Sequence, residues 1–401
     1  MDKIRFLGAE NEISRVPFGS ILKETREKTA VENEDTLLSC AINGIFRNDE
    51  LFSHFRGSST IGYIKVKKND LILSAQNLHL GNANVNLRFE HGIISPAYKV
   101  YRITGAEPEY IAQWVKRPAA NQFFLAATTE GASQCRKNID WDALYRQPIV
   151  LPSSDEQKKI AKLLMSLDFQ IAFEKTEVRK LKDFKSAMLT KMFPKEGKTE
   201  PEIRFPGFTD AWEQRKLSEV VKEVKRTDET SDAPVMMITA EDGFINQSER
   251  YSTNNAGQSL KKYILLEKGE LAYNHGASKL RPFGSCFALI SKEKARIPFV
   301  YHCFSSESEN AEFLSLTLNG KPVERQLRRI VSSGARMDGL LNISFEEYTA
   351  IPISLPQKAE QDRIAECFCN LDRLITLHQR KYEKLINTKK AFLEKLIGGE
   401  K

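Results

Sequence analysis

The sequence PIVLPSSDEQKKIA at residues 148–161 recurs as PISLPQKAEQDRIA at residues 352–365. The same spacing between the copies continues without a gap beyond this phrase, as far as Lys191 and Lys395. Repetition in one register over such a length indicates a duplicated structural unit. The 401-residue chain is therefore predicted to contain one architectural plan twice.

The start of each copy is also recognisable. Ile4-Arg5-Phe6-Leu7-Gly8 matches Ile203-Arg204-Phe205-Pro206-Gly207, which gives each copy a length of about 200 residues. Between these ends the copies share little beyond short anchors, such as Lys68-Asn69-Asp70-Leu71 and Lys268-Gly269-Glu270-Leu271. We therefore expect a repeated frame that carries different side chains in its two copies.

A long helix is predicted after each proline-bounded strand. In the first copy Ser153 and Glu156 form a capping box, whereas Gln357 replaces the serine in the second copy and only Glu360 remains. Apolar residues then recur in alternating steps of four and three, which is a heptad seam. The residues predicted to pair the two helices are Ile160, Leu164, Leu167, Ile171, Val178, Leu181, Ile364, Phe368, Leu371, Ile375, Tyr382 and Leu385.

Each seam is long and is interrupted at the same two places. The first runs from residue 160 to residue 192, roughly 50 Å at about 1.5 Å per residue. Polar layers occupy equivalent positions, Glu174 with His378 and Lys185 with Lys389. Length and duplication favour a coiled coil between the two helices, and the alternative is an ordinary helix that faces a core.

The segments ahead of the helices contain short β-rich runs such as Tyr63-Ile64-Lys65-Val66, separated by Asn, Gly and Asp turns. The predicted fold class is α+β, with two tandem strand-rich domains, each followed by a long helix, and the two helices packed on each other. The predicted segments are domain 1 at 1–152, the central helix at 153–193, a linker at 194–206, domain 2 at 207–356 and the C-terminal helix at 357–401.

Composition favours a globular protein with a polyanionic partner. The net charge of +7 is compatible with binding to phosphate groups. No apolar run reaches the roughly 20 residues that cross a bilayer, and the charged N-terminus lacks a secretory signal, so a cytoplasmic location is expected. The six cysteines are scattered, which predicts reduced, packed thiols and no metal site.

The chain resembles the specificity subunits of type I restriction-modification systems. The resemblance rests on the phrase Ile203-Arg204-Phe205-Pro206-Gly207-Phe208-Thr209-Asp210-Ala211-Trp212-Glu213, and on the twice-used phrase Ile-Pro-x-Leu-Pro, Glu-Gln, Ile-Ala ahead of a long helix. It covers essentially the whole chain. The first copy departs from the pattern, because Ile13 stands in place of Trp212 and Leu7 in place of Pro206.

The resemblance implies a DNA-binding subunit without catalysis. Two target-recognition domains would each read one half of a bipartite, asymmetric sequence in double-stranded DNA. The two helices would pair as an antiparallel coiled-coil spacer between these domains and dock two methyltransferase subunits, through which restriction subunits join the complex. S-adenosylmethionine, ATP and Mg are expected on those partners. Two half-sites about one DNA turn apart, roughly 34–36 Å, would suit two such readers.

DNA contacts are predicted on two pairs of loops, since polar and basic side chains read base edges and grip phosphates. One pair follows the matched Lys-x-x-Leu strand, and the other precedes the helices. The candidates are Ser74, Gln76, Asn77, Ser133, Gln134, Arg136, Lys137, Asn274, His275, Ser278, Lys279, Arg281, Ser332, Ser333 and Arg336. Arg325, Arg328 and Arg329 form a further basic helical face.

Two other functions remain as alternatives. Asp210 and Glu223-Val224-Lys225 resemble part of a nuclease site, although the first copy has Thr25-Arg26 at the matching place. A coiled-coil scaffold without DNA contact is the third possibility. The chain has no phosphate-binding loop of the G-x-x-x-x-G-K-[ST] type and no Pro-Pro pair of an amino-methyltransferase motif. We therefore expect no catalytic residues in this chain.

Overall fold

The structure is a computed structural model that describes residues 13–53, 59–133, 136–195, 197–250, 257–331 and 341–397. It contains two compact units. Unit 1 comprises Met1–Glu177 and His378–Lys401, and unit 2 comprises Val178–Leu377. Each unit therefore combines the strand-rich region of one copy with part of each long helix.

Unit 1 contains twelve described strands and four short helices ahead of the first long helix. The strands are β1 (Ser14–Pro17), β2 (Leu22–Thr25), β3 (Leu38–Ala41), β4 (Gly44–Arg47), β5 (Ile64–Lys67), β6 (Asp70–Ser74), β7 (Ala83–Val85), β8 (His91–Ile94), β9 (Tyr98–Ile103), β10 (Thr128–Ser133), β11 (Arg136–Ile139) and β12 (Pro148–Leu151). The helices are α1 (Asn48–Leu51), α2 (Pro108–Trp114), α3 (Ala120–Leu125), α4 (Trp141–Arg146) and α5 (Ser154–Lys191).

Unit 2 repeats this order with ten described strands. The strands are β13 (Glu213–Lys216), β14 (Lys222–Glu223), β15 (Met236–Thr239), β16 (Gly243–Asn246), β17 (Ile264–Glu267), β18 (Leu271–Asn274), β19 (Ser285–Ala288), β20 (Lys294–Ile297), β21 (His302–Ser305) and β22 (Pro352–Leu355). The helices are α6 (Gln247–Arg250), α7 (Ala311–Leu318), α8 (Lys321–Ile330), α9 (Phe345–Thr349) and α10 (Lys358–Phe392), and α10 ends in a π-helical turn, Leu393–Ile397.

The sheets have the same topology in both units. Unit 1 has a four-stranded antiparallel sheet in the order β2-β9-β6-β7, and unit 2 has the order β14-β21-β18-β19. The pair β5-β8 corresponds to β17-β20, β3-β4 to β15-β16, and β1-β12 to β13-β22. The predicted α+β class and the duplication are thus confirmed at the level of strand pairing.

The central strand of each sheet is buried on both faces. Leu71 and Leu73 of β6 belong to a core with α2, α3 and α5, while Ile72 faces a second core built with β3, β4 and β5. In β18, Leu271 and Ala272 are divided between two cores in the same way. Two covered faces explain why these strands are almost continuously apolar rather than alternating.

The turn before each central strand is equivalent in the two units. Asn69 and Gly269 both have positive φ, 71° and 88°, a conformation that asparagine and glycine tolerate best. The next side chain closes the turn, because Asp70 Oδ2 accepts from Lys67 N at 2.8 Å and Glu270 Oε2 accepts from Glu267 N at 2.7 Å. The anchor phrase found in the sequence is therefore a structural turn.

The long helices contribute to both the domain cores and the helix pairing. In unit 1 Ile160, Leu164 and Leu167 share a core with Trp114 and with the end of α10. In unit 2 Ile364, Phe368 and Leu371 share a core with Trp212, against which Leu181 of α5 packs. Ile375 is also buried, whereas Ile171, Val178, Tyr382 and Leu385 are half-buried. The sequence left two alternatives, a coiled coil between the helices or a helix that faces a domain core. Both kinds of packing occur along the same seam.

Ion pairs show that the helices run antiparallel. In unit 1 Lys389 Nζ lies 2.5 Å from Asp168 Oδ1, and Glu174 contacts His378. In unit 2 Lys185 Nζ lies 2.6 Å from Asp372 Oδ1. Positions later in α5 thus meet positions earlier in α10.

The segment predicted as a linker forms backbone hydrogen bonds with other residues of unit 2. Ile203 N donates to Lys191 O at 3.0 Å, and Trp212 N donates to Thr199 O at 2.9 Å. Trp212 is buried and packs edge-on against Phe193, with ring centroids 5.8 Å apart. Ile13, which replaces the tryptophan in the first copy, is 42% exposed.

Candidate nucleic-acid interface

The loop after β6 presents two of its three predicted DNA contacts to solvent. Gln76 and Asn77 are exposed. Ser74 was predicted to be accessible, but it is buried, and its Oγ accepts from Asn77 N at 3.3 Å. Ser74 therefore shapes the loop, because a serine at the end of a doubly covered strand remains inside the core.

The equivalent loop after β18 is held by several side-chain hydrogen bonds. Lys279 and Ser278 are exposed, and Ser278 Oγ accepts from Arg281 N at 3.0 Å. Asn274 bridges Ile238 O and Gly276 N, at 3.1 and 2.9 Å. Arg281 donates to Asn319 O at 2.7 Å, and partial burial lowers the pKa of its guanidinium. Asn274 and Arg281 thus hold the loop that displays Lys279.

His275 is a correction to the predicted interface. It is 7% exposed, and its Nδ1 and Nε2 lie 2.9 Å from Leu341 O and 2.7 Å from Val300 O. The imidazole joins chain segments far apart in sequence, which explains why its position in a polar loop gave no sign of burial. A histidine held on both sides in this way is not available to a base edge.

The second predicted loop pair is described only in part. In unit 1 Ser133 ends β10, and Arg136 and Lys137 begin β11, so these residues belong to a hairpin. Gln134 lies outside the described residues, as do Ser332, Ser333 and Arg336. All of these remain predictions.

The basic helical face predicted from the sequence is present on α8. Val323 and Leu327 are buried, whereas Arg325, Arg328 and Arg329 are exposed. Arg325 and Arg329 also line an open cavity of about 1100 Å³ in unit 2. The corresponding helix of unit 1, α3, has no Lys or Arg.

A structural role that sequence reasoning missed belongs to the glutamine of the repeated Glu-Gln phrase. Gln157 is buried, donates to Pro152 O at 2.9 Å and accepts from Glu107 N at 2.9 Å. Gln361 likewise donates to Pro356 O at 2.9 Å and accepts from Asn310 N at 3.1 Å. Glu107 and Asn310 are the N-cap residues of α2 and α7. Each glutamine thus joins the start of a long helix to the start of α2 or α7 in its own unit.

The preceding glutamate of the phrase has a partner from the linker. Arg204 binds both carboxylate oxygens of buried Glu360 at 2.7 Å, and the Glu360 carboxylate raises the pKa of Arg204. In the first copy, Glu156 N lies 3.4 Å from Ser153 Oγ, the serine half of the predicted cap. The phrase that carried the resemblance thus positions the helices.

The carboxylates of the rival nuclease hypothesis each have structural partners. Asp210 accepts from Gln357, and Glu223 Oε2 lies 2.6 Å from Nζ of Lys225, two residues further along the chain.

Cys40, Cys286 and Cys303 are buried free thiols, and burial raises the pKa of Cys40 to about 11. No helix among the described residues is long and apolar enough to cross a membrane.

The fold is thus a duplicated α+β frame that carries a different set of loops in each copy. Residues 209–387 match the family model of the type I restriction modification DNA specificity domain. The chain is 23% identical over 88% of its length to the putative type I restriction enzyme MjaX specificity subunit of Methanocaldococcus jannaschii, and covers 78% of that protein. It is 26% identical to the MjaVIII specificity subunit of the same organism, over 69% of this chain and 67% of that one.

A solved structure supports the fold. The S subunit of a type I restriction-modification system from M. genitalium superimposes with a TM-score of 0.62 at 11% identity, and all of both chains is covered. The resemblance seen in the sequence is confirmed: residues 209–387 match the specificity-domain model, and most of the chain is similar to type I restriction enzyme specificity subunits.

Proposed function

We propose that this chain binds a bipartite, asymmetric DNA sequence and that each strand-rich domain reads one half of it. The observation that carries the proposal is the repeated sheet order with a different exposed loop after the same strand. Gln76 and Asn77 are displayed after β6, whereas Ser278 and Lys279 are displayed after β18. Equivalent positions with different hydrogen-bonding groups suit two different half-sites.

Catalysis would belong to separate subunits. In this proposal, methyltransferase subunits bind S-adenosylmethionine, restriction subunits use ATP and Mg, and this chain supplies sequence specificity. An exposed apolar stripe on α5 supports docking of a partner: Met165, Phe169 and Phe173 are four residues apart, and Phe169 is 74% exposed. Exposed aromatic side chains in a row are typical of a protein–protein contact.

The proposal is tested by co-expressing the chain with the methyltransferase subunits encoded beside it and by mapping methylated adenines across the genome. A split motif with two short specified halves is expected. The double variant Gln76→Ala/Asn77→Ala should relax one half only, and Lys279→Ala should weaken recognition of the other. Lys68→Ala and Lys268→Ala are matched controls. Each lysine lies in the turn before β6 or β18, at the end of the strand that is opposite to the tested loop.

Docking is tested separately in the same complex. Phe169→Ser/Phe173→Ser should reduce co-purification of the methyltransferase without lowering thermal stability, and Lys175→Ser on the same helix serves as the control. A stable complex with neither methylation nor sequence-dependent DNA binding would contradict the proposed function and favour a scaffold.

A further inference from the structure

A buried polar layer joins the two long helices within unit 1. The side chain of Glu174 on α5 is 1% exposed, and its carboxylate lies 2.6 Å from His378 Nδ1 and 2.5 Å from Lys381 Nζ on α10. A buried carboxylate is tolerated only when it is paired, so removing these partners would leave an uncompensated charge.

The members of this layer are counterparts in the duplicated sequence. His378 stands at the position of Glu174 in the second copy, and Lys381 stands at the position of Glu177. The first helix therefore carries two acids where the second carries two basic residues. We name Glu174, Glu177, His378 and Lys381 the acid–base layer.

The other interhelical ion pairs lack this asymmetry. Asp168 and Asp372 are counterparts, as are Lys185 and Lys389, and the two ion pairs Lys389–Asp168 and Lys185–Asp372 use the same residue types. Two copies of the same helix could form these ion pairs as well as one helix of each kind. The apolar seam is alike at four matching positions, which carry isoleucine or leucine in both helices, and differs at Leu164 against Phe368 and Val178 against Tyr382.

We propose that the acid–base layer selects the helix partner: the helix of the first copy accepts the helix of the second copy and rejects a second copy of itself. Two first helices would bring four carboxylates together, and two second helices would bring together up to four cations. Like charges at a buried interface oppose association, whereas the mixed pair neutralises them. This inference concerns assembly and does not depend on DNA recognition.

The test uses charge exchange in the full-length chain. An all-basic variant, Glu174→Lys/Glu177→Lys, and an all-acidic variant, His378→Glu/Lys381→Glu, each place like charges across the pair. A fourfold variant combines both changes and restores opposite charges. The control variant Lys162→Glu/Lys175→Glu makes two charge changes at exposed positions of α5. Thermal unfolding is measured for each protein, and native mass spectrometry is applied to differently tagged chains that are co-expressed.

Each two-residue layer variant should lose roughly 5–10 °C in Tm, and the fourfold variant should recover most of the loss. The all-basic and all-acidic chains should co-purify as mixed dimers through exchanged helices, well above the level for two tagged wild-type chains. If a variant is insoluble alone, its complement should rescue it. Failure of both rescue and fourfold recovery would overturn the proposal, as would a Tm unchanged in both layer variants.

Discussion

The third helix of each unit, α3 in unit 1 and α8 in unit 2, has the same place in the order of elements but a different surface. In unit 1, α3 has the sequence ANQFFL and buries Phe123 and Phe124 against Phe18 and Trp114. In unit 2, α8 has the sequence KPVERQLRRI, buries Val323 and Leu327, and exposes basic side chains. The buried positions are apolar in both helices, so the core limits only one side of the helix. The outer side is free to differ between the two units.

In contrast, Gln157 and Gln361 make the same hydrogen bonds in their two units. Gln157 and Gln361 bind a proline carbonyl oxygen and an N-cap amide through the same side-chain atoms. Because these residues fix how a long helix meets its domain, both copies need the same geometry there. Similarity thus marks the frame, and divergence marks the candidate binding surface.

The largest effect is expected from breaking this shared feature. Gln157→Ala and Gln361→Ala should each lower the free energy of unfolding by about 2 kcal/mol, because each removes a buried side chain and leaves a proline carbonyl oxygen and an N-cap amide without this partner. Chemical denaturation measures the decrease, and Gln122→Ala at an exposed position of α3 is the control. A marked inequality between the two decreases would contradict the structural equivalence of the glutamines.

An intermediate effect is expected on DNA binding from the divergent helices. Arg325→Gln/Arg328→Gln/Arg329→Gln should weaken DNA binding and reduce the slope of log K against log salt by about 0.9 for each DNA phosphate that the variant no longer neutralises. Gln122→Ala in unit 1 should leave the slope unchanged. Fluorescence anisotropy over a salt series checks both, and an unaltered slope in the triple variant would exclude α8 from the interface.

The smallest effect concerns pH and the acid–base layer. Hydrogen bonds from Lys381 and His378 hold the pKa of Glu174 below its usual 4.5, so the layer stabilises the protein above that pH and loses this contribution as pH falls through the folded-state pKa. The stability gap between wild type and Glu174→Gln should therefore be largest near pH 7 and shrink towards pH 3, by a few degrees in Tm at most. A gap that does not vary with pH would argue against an ionised Glu174.

Much of the fold could be predicted because its signals are local. The strands at residues 64–66, 71–73 and 98–101 follow from β-rich runs between turns, and α5 begins at Ser154, directly after its predicted cap. The candidate site was less accessible to prediction. Gln76 and Lys279 are exposed as expected, but Ser74 and His275 are buried, because their surroundings come from distant segments such as the one at Leu341.

Residue order and spacing were enough to predict the duplication, the register of the two seams and the resemblance to specificity subunits. The side chains that hold the frame together could be identified only from the folded chain. Gln157 meets Glu107, Arg204 meets Glu360, and Glu174 meets its own counterpart His378. Such partners lie from 50 to 204 positions apart, so local periodicity cannot specify them. Burial and hydrogen bonding between distant segments, set by how the strands and helices pack, select them.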